Sequence, residues 1–303
     1  MELEFKPVVA GDIDRLRPFY GMRPNKTCDS VFLDSFLWKD YYHVQCAVSE
    51  GRAALWLMEK DGQVSTAMPL CREEDLPYFF QQMVDYFSEV LHKPFYISLA
   101  DEEAVQYLNL DPALFEVEEQ VDLKDYLYSG EELRKLEGKK FVKKRNHLNG
   151  FKRMYEGRYE YRRLCCSDRH EVWQFMERWR QHREEVGAME LSLDYEVAGI
   201  HDILKNCSNL YVRMAGVYID GQLEAFTIGS LNVRENMAVI HIEKANPEIR
   251  GLYQFINQQF LINEFPQAEL VNREDDVGME GLRKAKMSYY PIGFARKYMV
   301  RER

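Results

Sequence analysis

The stretch Tyr211-Val212-Arg213-Met214-Ala215-Gly216-Val217-Tyr218-Ile219-Asp220-Gly221-Gln222-Leu223-Glu224-Ala225-Phe226-Thr227-Ile228-Gly229 reads as two strands joined at Asp220-Gly221. Asp-Gly supplies the positive φ angles of a tight hairpin turn, and the apolar runs on either side supply the strands. A second copy of the device stands about one domain length earlier, where Ala53-Ala54-Leu55-Trp56-Leu57-Met58 precedes Asp61-Gly62. After the first turn the patterns predict a strand over Gln63 to Leu70, a helix over Glu73 to Leu91, a strand over Pro94 to Leu99, a helix over Asp101 to Leu108 and a strand over Phe115 to Val121. After the second they predict strands over Leu223 to Leu231 and Met237 to Glu243, a helix over Gly251 to Glu264, a strand over Ala268 to Val271, a helix over Met279 to Met287 and a last strand around Phe294 to Val300. The order repeats, so a duplicated α/β (α+β) chain is expected, each unit a mixed sheet flanked by helices.

Between the halves, Ser129-Gly130-Glu131-Glu132 is a helix start with acidic first-turn residues. It opens a basic segment, read as one helix linking the units. The expected division is residues 1–128, 129–164 and 165–303, with the active centre in the last. Two more helices are expected, Asp168 to Val186, with Val172, Phe175, Met176 and Trp179 at helical spacing, and Asp194 to Cys207.

With 303 residues, 46% apolar and 13% aromatic, the chain can fill a substantial core. No apolar run approaches the roughly 18 to 20 residues of a membrane-spanning helix, and Met1-Glu2-Leu3-Glu4 has no signal-peptide character. A cytoplasmic protein is expected. Its six cysteines form no CxxC pair, and a domain of this size does not need disulfides to fold. Cys165-Cys166 are read as ordinary packing residues. The net charge is −10, yet Arg134 to Arg163 holds twelve Lys or Arg against three Glu, a local +9 on a body of −19. Such a strip attracts a polyanion while the acidic body discourages indiscriminate nucleic-acid binding.

HExxH, GxSxG, the Walker loop and GxGxxG are all absent, which sets aside the best-marked zinc hydrolases, serine hydrolases, nucleotide hydrolases and dinucleotide enzymes. The histidines are dispersed, so no structural metal is expected. What stands out is the strand ending His241-Ile242-Glu243, the turn Pro247-Glu248-Ile249-Arg250-Gly251 and the helix after it. A helix N-terminus offers free N–H groups to a phosphate, and Gly251 permits close approach.

Here the chain resembles a family. The hairpin Gly216 to Gly229 looks like the second and third strands of the GNAT acyltransferase fold, with Arg250-Gly251 where that fold carries its pyrophosphate loop, although Leu252-Tyr253 stands where a second glycine is usual. Gly138-Lys139-Lys140-Phe141-Val142-Lys143-Lys144-Arg145-Asn146-His147-Leu148-Asn149, together with the segment from Asn272-Arg273-Glu274-Asp275-Asp276 to Arg283-Lys284-Ala285-Lys286-Met287-Ser288-Tyr289, resembles a bacterial family grouped with the C-terminal domain of phosphatidylglycerol lysyltransferase. More distantly, that family is grouped with the Fem peptidyltransferases, which use aminoacyl-tRNA. Both are tandem GNAT proteins, and the resemblance covers essentially the whole chain. It implies an acyltransferase that moves an aminoacyl group from aminoacyl-tRNA to an amine or hydroxyl such as a phospholipid headgroup, with no tightly bound cofactor.

Acyl transfer needs splayed strands that hold a carbonyl, a base for the nucleophile and an acid for the leaving group. His241 and Glu243, expected on one face by strand alternation, are candidate bases, and Tyr289 and Tyr253 candidate acids. Arg250 and Gly251, with Lys143, Lys144 and Arg145 of the basic strip, are the candidate donor-binding residues, the strip gripping tRNA phosphates. Arg273, Arg283 and Lys286 are candidates for holding phosphate or carboxylate. Glu274, Asp275 and Asp276 are candidates for an ammonium, with Asn272 at the strand end and Asp276 alternatively an N-cap. The competing readings are an acetyl-CoA-dependent N-acetyltransferase, a non-catalytic RNA or ligand-binding relative of the fold, and attachment of the basic strip to an anionic membrane.

Overall fold

The computed structural model describes residues 3–185 and 192–303. Both hairpins form where the Asp-Gly pairs stand, with φ of 52° and 79° at Asp61 and Gly62, and 52° and 82° at Asp220 and Gly221. The first joins Ala53–Lys60 to Gln63–Ser65; the second joins Arg213–Ile219 to Gln222–Asn232.

Each half builds the same order of strands. In the C-terminal sheet Tyr159–Arg163, Arg213–Ile219, Gln222–Asn232 and Met237–Ala245 run antiparallel, and Leu270–Asn272 then joins parallel to Met237–Ala245. In the N-terminal half Lys6–Pro7, Gln45–Ser49, Ala53–Lys60 and Gln63–Ser65 run antiparallel, and a parallel bridge from Thr66 to Ile97 ties them to Tyr96–Asp101. In each half a helix connects the parallel pair: Leu76–Asp85 and Leu252–Glu264. Repetition of this topology is the duplication expected from the sequence.

The sixth position of each sheet is filled from the other half. Asp125–Ser129 inserts antiparallel between Leu270–Asn272 and Gly293–Ala295 of the C-terminal sheet, while Lys297–Glu302 inserts between Tyr96–Asp101 and Phe115–Glu119 of the N-terminal one. The single last strand expected over Phe294 to Val300 is therefore two strands in two sheets, and a boundary at residue 128 cuts across a strand of the C-terminal sheet. Local pattern identifies a strand but not its partner, because the partner lies more than 140 residues away along the chain.

The basic segment is likewise more than one linking helix. Helix Gly130–Lys135, N-capped by the Ser129 side chain, ends at Leu136 in the left-handed region; Gly138 at φ 83° turns the chain, and helix Val142–Met154 follows. Both pack against helix Leu252–Glu264, and Tyr159–Arg163 opens the C-terminal sheet, so the segment is part of that unit. Helices Arg169–Glu185 and Ser192–Asn206 lie over the other face of the sheet, matching the two expected ones within the described residues. A disulfide joins Cys166 to Cys207 at the far ends of that pair, which corrects the reading of Cys166 as a packing residue.

The largest apolar core spans both halves. Phe32, Phe36, Leu37 and Trp56 from one pack with Phe175, Ile200, Ile203, Phe226 and Ile228 from the other. Each fully buried side chain of this kind contributes roughly 1.5–3 kcal/mol relative to exposure, so the halves are held as one body.

Candidate active site

Met237–Ala245 and Leu270–Asn272 are in register for only three residues, Met237 with Leu270, Ala238 with Val271 and Val239 with Asn272. Beyond Val239 and Asn272 the two strands part. Leu270–Asn272 stays with Asp125–Ser129, since the backbone pair Arg273 and Tyr126 continues that ladder. Met237–Ala245 stays with Gln222–Asn232. The result is a V whose two arms carry His241 and Glu243 on one side and Arg273 and Glu274 on the other.

A β-bulge decides where those side chains go. Ile228 opposes Ile242 while Gly229 opposes Ile240, leaving His241 as the extra residue. A bulge interrupts alternation locally, so the expectation that His241 and Glu243 share a face fails. Glu243 faces helix Leu252–Glu264, where its Oε2 accepts from Asn257 Nδ2 at 2.7 Å. His241 faces the opposite side, as does Lys244, whose Nζ is 2.8 Å from Glu196 and 4.1 Å from the Trp179 ring centre.

The V is bridged twice, once on each face. On the helix Leu252–Glu264 side Arg273 Nη2 donates to Glu243 Oε1 at 2.9 Å. Arg273 also lies over Tyr289, 4.8 Å from the ring centre, and Lys144 Nζ approaches the same ring at 3.8 Å while bonding Ser288 Oγ at 2.6 Å. Burial pushes the Tyr289 hydroxyl up to about 12, so it keeps its proton near neutrality.

On the other face His241 Nδ1 is 2.9 Å from Glu274 Oε1, and its Nε2 is 2.8 Å from Ser230 Oγ. Burial pulls the imidazole down to about 3 and raises the Glu274 carboxyl well above its ordinary range. Near neutrality the imidazole is therefore uncharged and the Glu274 carboxyl is biased towards its protonated form, because a low-dielectric site penalises the separated charges.

Behind Glu274 lies an acid-rich cluster between the halves. Asp125, fully buried, accepts from the backbone N–H of Cys28 at 2.5 Å and from Asn272 Nδ2 at 3.0 Å. Its other oxygen is 2.9 Å from Lys297 Nζ, which also reaches Cys28 Sγ at 3.1 Å and lies 3.6 Å from Asp29 and 3.9 Å from Asp275. Burial works against this lysine, yet its anionic neighbours, Asp125 first, raise its pKa well above the ordinary value. Asp34 is also buried and raised, by desolvation and then by Asp29 and Glu274, and burial lifts Asp275 to about 6. Cys28 Sγ and single oxygens of Asp34 and Glu274 lie within 4.8 Å of one another. That set is poor for a metal: burial and Asp125 push the thiol pKa up, and the Lys297 ammonium already supplies positive charge. Asp29 and Asp34 also line a cavity of about 90 Å³ with Trp38, Tyr42 and Trp56; its other charged lining, Arg23 and Asp101, is a closed bidentate ion pair, so the Asp29 and Asp34 carboxyls and the aromatic rings suit an organic cation.

The sequence candidates therefore separate. His241, Glu243, Arg273, Glu274, Tyr289 and Lys144 meet at the V. Asn272, Asp276, Arg283 and Lys286 shape its second arm. Asn272 donates to Lys26 O at 2.8 Å and accepts from the Glu274 N–H at 2.7 Å, and Lys286 Nζ donates to the carbonyls of Arg273, at 2.6 Å, and Asp275. Asp276 accepts from the Gly278 N–H and from Arg283 and Tyr126, which brings its pKa down to about 2; the N-cap of helix Glu280–Met287 is Met279, not Asp276. Tyr253 opens helix Leu252–Glu264 and packs at the edge of its core. Arg145 folds back onto the carbonyls of Leu136 and Gly138, Lys143 points to solvent, and Arg250 reaches His147 Nε2 at 3.3 Å. Gly251 has φ 89°, and a Cβ there would stand 2.3 Å from the His147 carbonyl oxygen, so packing of helix Val142–Met154 already requires glycine. Ser230, Asp34, Asp125 and Lys297 were not foreseen. The available signal was a charge inside an apolar strand, at Asp125-Tyr126-Leu127-Tyr128 and at Lys297-Tyr298-Met299-Val300.

Residues 23–301 match the family described as phosphatidylglycerol lysyltransferase, C-terminal. The chain belongs to that family. Its fold as a phosphatidylglycerol lysyltransferase C-terminal domain, two α/β units of like topology in tandem, is shared with solved structures. A conserved protein of unknown function from Bacteroides thetaiotaomicron superposes with a TM-score of 0.90 at 27% identity, covering 100% of both chains. The C-terminal domain of a putative lysylphosphatidylglycerol synthetase from Agrobacterium fabrum gives 0.70 at 16% identity over 96% of this chain and 91% of that one. L-PGS from Bacillus licheniformis gives 0.69 at 15% identity over 99% and 93%. These last two likenesses establish the fold alone. An uncharacterised protein of Mycoplasmoides gallisepticum is 28% identical over 178 residues, and the alignment spans 58% of this chain and 56% of that protein. Members of the phosphatidylglycerol lysyltransferase C-terminal family are transferases, and no helix among the described residues is long and apolar enough to cross a membrane.

Proposed function

We propose that the chain transfers an aminoacyl group from aminoacyl-tRNA to an amine or hydroxyl acceptor such as a phospholipid headgroup, with the V of the C-terminal unit as its active centre. The observation that carries this reading is the pair of side-chain bridges across the V, His241 with Glu274 on one face and Glu243 with Arg273 on the other. Acyl transfer needs a proton acceptor, a proton donor and positive charge near a developing oxyanion. The attacking amine or hydroxyl passes its proton through the Ser230 hydroxyl to His241 Nε2 while the Nδ1 proton of His241 moves to Glu274, so no buried imidazolium forms and the raised carboxyl ends protonated. The nucleophile bonds to the ester carbonyl carbon, the carbon–oxygen bond to the ribose breaks, and the protonated Tyr289 hydroxyl supplies a proton to the departing oxygen.

Two features favour an aminoacyl donor over acetyl-CoA. The aromatic cavity lined by Asp29 and Asp34 suits the ammonium of an amino acid, which an acetyl group lacks. The Gly251 turn, where a pyrophosphate would be sought, is packed against helix Val142–Met154. The test is to incubate the purified chain with a panel of radiolabelled aminoacyl-tRNAs and phosphatidylglycerol vesicles, and separately with acetyl-CoA and amines. Label entering the lipid fraction, reduced at least 100-fold by His241→Gln, is expected. No transfer from any charged tRNA, alongside micromolar coenzyme A binding, would overturn the reading.

A further inference from the structure

Arg273 and Glu274 are consecutive, yet they serve opposite faces of the sheet, and the two faces carry opposite charge. On the Glu274 face carboxylates outnumber the lysines beside them. On the Arg273 face two cations, Arg273 and Lys144, flank the Tyr289 ring, and one carboxylate, Glu243, is within reach. Glu243 is already divided between Arg273 and Asn257. Arg273 Nη1 is buried with no hydrogen-bond partner of good geometry. Lys144 has the Ser288 hydroxyl as its partner and no carboxylate among the described residues. A buried guanidinium N–H without an acceptor costs about 1–3 kcal/mol, which an anion seated there would recover.

We propose that Lys144, Arg273 and Tyr289 form a seat for a single phosphate group of the nucleotide that carries the acyl group. Arginine and lysine set against the same Tyr289 ring suit a tetrahedral oxyanion, Arg offering a directional N–H and Lys a point charge. The Tyr289 hydroxyl adds a donor at the rim, while the Ser288 hydroxyl, which donates to the Ala285 carbonyl at 2.6 Å, holds Lys144 in place as its acceptor. Burial and the neighbouring Arg273 hold the Lys144 ammonium down to about 8, and an anion seated beside it reverses that shift. Exposed Lys139, Lys143 and Arg153 extend the positive charge away from the seat, which suits a nucleic-acid backbone continuing past the first phosphate. This placement rests on the acyl-carrier reading and sharpens it: the carrier phosphate lies on one face of the sheet and the ammonium of its cargo is drawn to the other.

The experiment is a direct binding titration, independent of transfer. A short RNA hairpin ending in CCA, adenosine 5′-monophosphate, and phosphatidylglycerol vesicles are each titrated into the full chain and into Lys144→Gln, Arg273→Lys and Lys143→Gln, with thermal melts confirming folding. Expected for the RNA is a Kd weakened at least tenfold by Lys144→Gln and by Arg273→Lys, a change under threefold for Lys143→Gln, and a salt slope reduced by about one for Lys144→Gln. Equal effects of Lys143→Gln and Lys144→Gln would reduce the seat to diffuse surface charge and overturn the proposal. So would Lys144-dependent binding of vesicles without binding of RNA. If the RNA binds as described and no transfer occurs, the function proposed above fails and the phosphate seat stands.

Discussion

His241 Nδ1 lies 2.9 Å from Glu274 Oε1, and this contact crosses the gap where two strands of one sheet have separated. The pair replaces the backbone ladder that ends at Val239 and Asn272. It makes the candidate active site part of the structure that keeps the sheet whole, and stability should respond to its protonation.

The pH dependence follows from the two shifts. His241 is held down to about 3, from about 6.5 in an unfolded chain, so between those values the unfolded state binds more protons and stability falls as pH is lowered from about 6.5 towards 3. Glu274 and Asp34 are raised, so there the folded state binds more protons, and their contribution falls as pH rises through and beyond the ordinary carboxylate range. Because the imidazole and the raised carboxyls act in opposite directions over this range, the variant isolates the imidazole: in urea unfolding at half-unit pH steps, His241→Asn should gain stability relative to the unsubstituted chain as the pH is lowered below 6.5. An unchanged slope in that variant would place the titration elsewhere.

Lys297 and Asp125 come from strands that were exchanged between the halves, and they meet at 2.9 Å with both side chains essentially buried. Removing one partner leaves a buried charge alone, at a cost of about 3–5 kcal/mol. Lys297→Met should therefore lower the urea midpoint strongly, and adding Asp125→Asn should restore part of the loss. Additive losses in the double variant would mean that the two groups do not depend on each other.

Gly251→Ala tests the role of the turn before helix Leu252–Glu264. The backbone is left-handed and a Cβ meets the His147 carbonyl, so a destabilisation of about 2 kcal/mol or more is expected, seen as a fall in Tm. A variant of unchanged Tm that has lost donor binding would instead restore the glycine to a phosphate-binding role.

Sequence pattern by itself determined the two Asp-Gly hairpins, the repeated order of strands and helices, the helix over Leu252–Glu264 and the family, because turn chemistry, periodicity and motif residues are properties of short segments. It also brought His241, Glu243, Arg273, Glu274 and Tyr289 into consideration. Only the tertiary structure decided which half each final strand completes, that Cys166 pairs with Cys207, and that Asp125 and Lys297 sit at the seam. One extra residue in a strand, at His241, sent two neighbouring acid–base candidates to opposite faces. Those outcomes depend on partners distant along the chain and on a register shift of one residue, and neither leaves a local signature in the amino acids that carry it.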